Sequence, residues 1–330
     1  MQYKIFTLIA AFAMGSLASL AQDETMRVQT GGTFGKPKIV PRLEKFALAQ
    51  LSVNYKLTTT QMTVGKEKQF GGGAKMAGAR ITAYLETTDG ELTDADFQEV
   101  TDHFYSYFQK KLKSSGIDTV AWSAITATDF YKDGNEASGS KEEKGENLVK
   151  VTTSAHKGNS MYGGLTGFAF GKIKKASRFC KELGAPAGFF HVTVDFADVT
   201  AGVDIKTSRP NYPSGYYPYT TTTTYKYHAA TKPDMKVIPA SSTGGFTLLW
   251  NEKDQSESIV VAKDISSGYT YHTDLVQDPS RIKSRLFNFA KAMDPVVIET
   301  TREQYKTAAK KALEKYADTF VALAMNLKKD

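Results

Sequence analysis

Residues Phe170-Gly-Lys-Ile-Lys-Lys-Ala-Ser-Arg-Phe-Cys-Lys-Glu-Leu183, followed by Gly184 and then Gly188-Phe-Phe-His-Val-Thr-Val-Asp195, decide how this chain is read. In the first half Phe170, Ile173, Ala176, Cys180 and Leu183 recur at steps of three and four, the period of a helix with one stripe turned to a core. Gly184 suits the left-handed residue that ends such a helix. The second half is β-branched and aromatic, the composition of a strand. A helix that delivers its chain directly into a strand predicts a sheet flanked by helices, the mixed α/β class, with α+β as the other arrangement allowed.

Working outward toward the amino terminus, Leu51, Val53, Tyr55 and Leu57 alternate with Ser52, Asn54 and Lys56, which predicts a half-buried strand. After the Gly-rich stretch Gly71 to Gly78, Ile81, Ala83 and Leu85 predict a second strand, and the two are expected to pair as a hairpin. Thr93 with Asp96 three residues later forms a capping box, and Phe97, Val100, Phe104, Phe108 and Leu112 continue a helix stopped by Gly116. Val120, Trp122 and Ala124 predict a further strand over 118–126, and residues 133–146 a charged loop too polar to pack.

Toward the carboxyl terminus, residues 199–276 read as short β-like runs separated by turn signals. Asp278-Pro279 places an N-cap and an N1 proline ahead of Ile282, Leu286, Phe289 and Met293, predicting a helix that Asp294-Pro295 stops. Val296-Val297-Ile298 reads as a strand, and Thr300 with Glu303 as the capping box of a closing helix over 301–327. Paired strands interrupt the alternation with helices, so the sheet is expected to be mixed. The organisation read from this is a signal segment over 1–21, an irregular lead-in over 22–43, and a mixed α/β domain over 44–330 with a β-rich insertion at about 200–276.

Lys4, the uncharged run Ile5 to Met14 and Ser19-Leu20-Ala21 before Gln22-Asp23-Glu24 match a secretory signal peptide cleaved after Ala21. The expected locale is therefore the periplasm, the cell surface or the extracellular space. No later segment is apolar over eighteen residues, so no transmembrane span is expected, and no cysteine follows the signal to carry a lipid anchor. Cys180 is the single cysteine, which excludes an internal disulfide, and its place on the apolar stripe predicts a packed thiol. A formal net charge of +7 without a run of five basic residues reads as a solvated surface, and no nucleic-acid partner is expected.

Motifs that carry chemistry fail by spacing. Gly171-Lys172 is followed by Ile173 and has Thr166 where a phosphate loop requires its first glycine, and neither Gly-rich stretch spells a dinucleotide fingerprint. The five histidines, His103, His156, His191, His228 and His272, have no ligand partner at short spacing, so no metal and no cofactor are expected. His191 is expected to be a satisfied sheet histidine, and Asp195 with Asp198 a solvent-facing pair at a turn. No nucleophile motif or calcium loop occurs, so no catalytic residue is assigned. A hydrolase with dispersed carboxylates, such as a glycosidase, would leave the same silence and stands as the enzyme alternative.

The unusual segment is Tyr212 to His228, in which Pro213 and Pro218 bracket Tyr216 and Tyr217 ahead of Tyr219 and five consecutive threonines. Tyr212, Tyr216, Tyr217, Tyr219, Tyr225 and Tyr227 are the candidate binding residues, since large rigid rings with hydroxyls favour contact surfaces.

At Phe170 to Val199 the chain resembles the CsgG superfamily and the related amino-terminal domain of TolB. A helix ends in Lys181-Glu-Leu-Gly-Ala185, and the strand Phe189-Phe-His-Val-Thr-Val-Asp-Phe196 follows directly. The resemblance covers mainly 44–200 and 279–328. It implies an exported, non-enzymatic binding or assembly module of the bacterial envelope, with an envelope protein or a second copy as partner. Membrane anchoring is not implied, because the lipidated cysteine is missing.

Overall fold

A computed structural model of the chain describes residues 25–30, 36–67, 75–132, 141–145, 148–157, 170–208, 222–239, 247–282, 286–287 and 290–329. The expected signal segment 1–21, residues 71–74 of the Gly-rich stretch and residues 133–140 of the charged loop lie outside these, as do the side chains of Phe170, Ile173, Leu286 and Phe289.

In chain order the first elements are β1 (Met26–Thr30), β2 (Lys45–Lys56), β3 (Thr58–Glu67), β4 (Lys75–Thr87), α1 (Asp94–Ser114), β5 (Asp118–Thr119), α2 (Trp122–Ala127), α3 (Asp129–Lys132), β6 (Lys141–Gly145) and β7 (Leu148–Ser154). There follow α4 (Phe170–Leu183), β8 (Ala187–Ser208), β9 (Thr222–Ile238), β10 (Thr247–Trp250), β11 (Ser256–Val261), β12 (Ile265–Ser266) and β13 (His272–Gln277). The chain closes with β14 (Leu286–Phe287), β15 (Ala290–Ala292), β16 (Val296–Thr300) and α5 (Arg302–Leu327).

The protein is mixed α/β. Its larger sheet runs β1-β11-β10-β8-β2-β7-β6, with β5 also on β2 and β9 on β8. The central pair β2 and β8 is parallel, while the neighbours of that pair along this path are antiparallel. The smaller sheet runs β13-β16-β4-β15-β14, with β3 antiparallel to β4.

Helices α1 and α5 cover one face of the β2–β8 centre. Leu51, Val53 and Tyr55 from β2 and Phe190, Val192, Val194 and Phe196 from β8 meet Phe97, Phe104, Phe108, Tyr316 and Phe320 there. Phe190 has ring centroids at 5.0 Å from Phe108 and 5.5 Å from Phe320, both edge to face, an arrangement the ring quadrupole favours. On the opposite face α4 packs Ala176, Phe179, Cys180 and Leu183 against Ala47, Ala49, Ala187, Phe189 and Trp250.

Several elements follow the sequence reading. Helix α1 begins at the Thr93/Asp96 box, the Thr93 N–H donating to Asp96 Oδ2 at 2.8 Å, and Gly116 takes φ +76 just beyond its end. Helix α4 ends with Gly184 at φ +58. The stripe of α5 is buried at Tyr305, Ala309, Ala312, Tyr316 and Phe320.

Others depart from it, for reasons of pairing. Strand β2 is buried on both faces, with Ser52 and Asn54 each 2 % exposed, because α1 and α5 cover one face and the side chains of His191, Thr193 and Thr152 from its neighbours β8 and β7 close around Ser52 and Asn54 on the other. It does not form a hairpin with residues 81–85. The chain passes at Leu57 straight into β3, and β3 takes β4 as partner from Thr58↔Tyr84 to Glu67↔Lys75. Residues 26–30 of the lead-in form β1 on β11, with Met26 buried. Trp122 starts a helix rather than continuing a strand, and its ring stacks at an edge on Tyr105 at 5.7 Å. Residues 141–145 of the charged segment pair with β7, where the Lys150–Glu143 ion pair spans 2.9 Å; an edge strand tolerates that polarity.

The helix expected over 279–293 is a short 3-10 turn, Pro279–Arg281, followed by two strands. Ala290–Ala292 lies parallel to Gly78–Arg80 of β4. Side-by-side approach at Gly78 is so close that a Cβ there would stand 2.8 Å from the Ala290 Cβ. The last helix is capped by Thr301 with Gln304, one residue beyond the expected Thr300 and Glu303. Thr300 closes β16 and spends its hydroxyl on the Tyr271 carbonyl at 2.7 Å.

Candidate functional site

Strand β8 passes through two environments, and both bear on function. Its inner half carries a polar seam on the face opposite α1 and α5, next to β2. His191 Nδ1 lies 2.6 Å from Ser52 Oγ, and His191 Nε2 lies 2.9 Å from Asn54 Nδ2. Thr152 Oγ1 donates to Asn54 Oδ1 at 2.6 Å, which fixes the amide with its nitrogen toward the imidazole. Nε2 therefore accepts, Nδ1 carries the proton and donates to Ser52 Oγ, and the serine hydroxyl points to the Phe190 carbonyl at 3.4 Å.

A serine beside a histidine has the composition of a nucleophile and its base, but here the proton runs from imidazole to hydroxyl, the reverse of what activation requires. Ser52 is also buried. Burial first, and the nearby Lys150 second, depress the His191 pKa to about 4, so the ring is neutral near pH 7. His191 is thus the satisfied sheet histidine expected from its neighbours.

Asp195 and Asp198 do not form a solvent-facing pair. Asp195 is buried and receives Lys56 and the Thr59 hydroxyl, the latter at 3.0 Å. Asp198 is half-exposed and pairs with Lys236, a buried cation that Asp264 also holds at 2.6 Å. The two carboxylates are committed to different lysines, and between them a bulge at Asp195/Ala197 shifts the register of β8 on β9. Among the described residues no three histidine, cysteine or acidic side chains gather as a metal cluster. Cys180 is buried, its thiol lies 3.4 Å from the Trp250 carbonyl, and desolvation pushes its pKa up to about 12.

The outer half of β8 leaves β2 after Val194 and continues with β9 alone as far as Ser208↔Thr222. This two-stranded arm lies on the β3–β4 hairpin. Gly65 of β3 is required at the crossing, since a Cβ would stand 2.8 Å from the Val203 carbonyl oxygen and 3.0 Å from Val203 Cγ1. At the far end Glu67 accepts from the Thr207 hydroxyl at 2.6 Å, and Lys75 reaches Thr223. Two hairpins therefore run together with their ends in register. The opposite face of the arm, with Asp204, Lys206, Thr224, Lys226 and His228, is exposed.

Of the six candidate tyrosines, Tyr212, Tyr216, Tyr217 and Tyr219 lie outside the described residues. Tyr225 is 40 % exposed near the end of the arm. Tyr227 is half-buried, with Lys291 Nζ 5.0 Å from its ring centroid, so it serves the contact between arm and smaller sheet. No helix among the described residues is long and apolar enough to cross a membrane. Comparison with family models, with curated proteins and with solved structures returned no match.

Proposed function

We propose that this chain is an exported, non-enzymatic binding or assembly module of the bacterial cell envelope, in line with its resemblance to the CsgG superfamily. The observation that carries this reading is the arm: β8 and β9 run on beyond β2 as a ribbon with one face exposed, and on the face turned to β3–β4 the Tyr225 ring still stands 40 % exposed near its end. A single exposed ring is ordinary, but a ring at the end of a ribbon held in place by Gly65, Glu67 and Lys75 is presented rigidly. Rigid tyrosines fill partner pockets with few rotors to freeze. The occupant of that surface is a second copy or another envelope protein.

The test is Tyr225→Ser, alone and with Tyr216→Ser, Tyr217→Ser and Tyr219→Ser, followed by sedimentation of the purified protein and pull-down of envelope partners. Unchanged thermal stability with lost association supports the proposal. Association that persists in the quadruple variant, or a large stability loss, overturns it. Export is tested separately by intact mass, which is expected to begin at Gln22; an exported chain that still begins at Met1 removes that half of the reading.

A further inference from the structure

Three segments distant in sequence meet around a cavity of about 220 Å³: the turn at residues 38–42, the carboxyl end of α4 with Gly184 to Pro186, and the β10–β11 turn at residues 251–255. Lys38, Arg42 and Lys253 line it, Glu252 is the one acid among the described lining residues, and Cys180 and Ala185 belong to its wall. Three cations against one carboxylate leave two positive charges. None of these four charged side chains has a partner among the described residues. Several cations elsewhere are engaged by acids: Lys236 takes two aspartates, Arg281 takes Glu86 and Asp278, and Lys306 takes Glu99 and Glu303.

The cation-bearing turns are fixed before any ligand arrives. Glu257, buried in β11, accepts the backbone N–H of Ile39 at 2.8 Å and of Val40 at 3.0 Å. Asn251 Oδ1 accepts the N–H of Lys253 at 2.9 Å and of Gln255 at 3.1 Å. The two anchors belong to one hairpin, Asn251 just past the end of β10 and Glu257 in the paired strand β11, so the turns that carry Arg42 and Lys253 are set relative to one another, and preorganisation of this kind lowers the entropic cost of binding.

We infer that this cavity binds a small hydroxylated ligand bearing a phosphate- or sulfate-type oxyanion. The planar guanidinium of Arg42 matches two oxygens of a tetrahedral oxyanion, and Lys38 and Lys253 supply the remaining charge. The volume is far above the roughly 10 to 15 Å³ that one water needs and below the ~300 Å³ at which drug-sized sites begin, which selects a body of monosaccharide size. Orientation follows from the field. The carbonyl end of α4 carries partial negative charge, so the oxyanion lies toward Arg42 and Lys253. The hydroxyls lie toward Gly184, with Glu252 as an acceptor for them.

The experiment is titration calorimetry of the purified protein with glucose 1-phosphate, inorganic phosphate and glucose, on the parent and on Arg42→Gln, Lys253→Gln and Lys226→Gln. The last variant removes the same charge from the exposed face of the arm. Expected are binding of glucose 1-phosphate, at least a tenfold loss in Arg42→Gln and in Lys253→Gln, no change in Lys226→Gln, and melting temperatures unchanged in all three. Glucose 1-phosphate is also expected to slow labelling of Cys180 by a neutral thiol reagent several-fold. Inorganic phosphate binding as tightly as the sugar phosphate assigns the cavity to the free oxyanion; tighter binding of the sugar phosphate assigns it to the substituted sugar. No binding of either phosphate, or equal weakening in Lys226→Gln and Arg42→Gln, overturns the inference.

Discussion

The inner and outer halves of β8 belong to one unbroken strand, yet they are stabilised in different ways. Between Ala187 and Phe196 every residue except His191 is buried, with β2 and β10 alongside and helices on the two faces. Between Val199 and Ser208 only Gly202 is buried, β9 is the one ladder partner, and a single face meets another layer. The difference teaches that strand length and strand stability are separate quantities. The inner half is held by aromatic burial, while the outer half is held by close backbone approach at Gly65 and a few hydroxyl contacts at the tip.

The largest expected effect sharpens this contrast from the inner side. Phe190→Ala removes a ring that Phe46, Phe108 and Phe320 surround, and chemical denaturation is expected to show a loss of ~3 to 5 kcal/mol. Val203→Ala on the arm is expected to cost well under half as much. Equal losses would break the comparison.

Next in size is the acid response of the seam. The folded His191 pKa, about 4, lies below its ordinary 6.5, so the group contributes stability that is fully present above the unfolded value and is lost as pH falls from about 6.5 toward 4. A 2.5-unit gap corresponds to at most ~3 kcal/mol. Denaturation midpoints measured from pH 7 to 4 are expected to fall through that window in the parent, and to flatten there in His191→Gln.

Two glycines of the outer half give smaller effects with different magnitudes. Gly65→Ala places a Cβ against the Val203 backbone, which cannot swing aside as a side-chain end can and moves only with the whole ribbon, and is expected to cost ~1 to 3 kcal/mol. Hydrogen exchange is expected to rise in residues 199–208 and 222–232 of this variant, with the inner half unaffected. Gly202→Ala places its Cβ within 2.5 Å of the His228 ring, but that residue is exposed and its side chain can swing outward. The expected change is below ~0.5 kcal/mol, because the strand also gains an alanine in place of a flexible glycine. A large loss in Gly202→Ala would mean that the His228 ring is pinned by the arm after all.

Legibility in the sequence followed where each element draws its stability. Helices α1, α4 and α5 were readable because their caps and stripes are local: Thr93 and Asp96, Gly184, and the run from Tyr305 to Phe320. The buried thiol of Cys180 and the sheet position of His191 followed from the same periodicities. The segment 279–293 was misread because Ile282, Leu286, Phe289 and Met293 keep a helical period that a parallel contact with Gly78–Arg80 overrides. Of the candidate tyrosines Tyr225 is exposed, whereas Tyr227 faces Lys291 for a reason that strand composition alone does not contain.

By itself the sequence determined the mixed α/β class, the three long helices and the apolar core of the central strands, since these depend on residues a few positions apart. Tertiary structure alone decided that β3 rather than β2 pairs with β4, and that Asp195 and Asp198 serve different lysines. It also decided that Lys38, Arg42 and Lys253 line one cavity. Each of those outcomes joins residues separated by a bulge, a crossover or more than a hundred positions, and no local period records which distant segment will supply the neighbour.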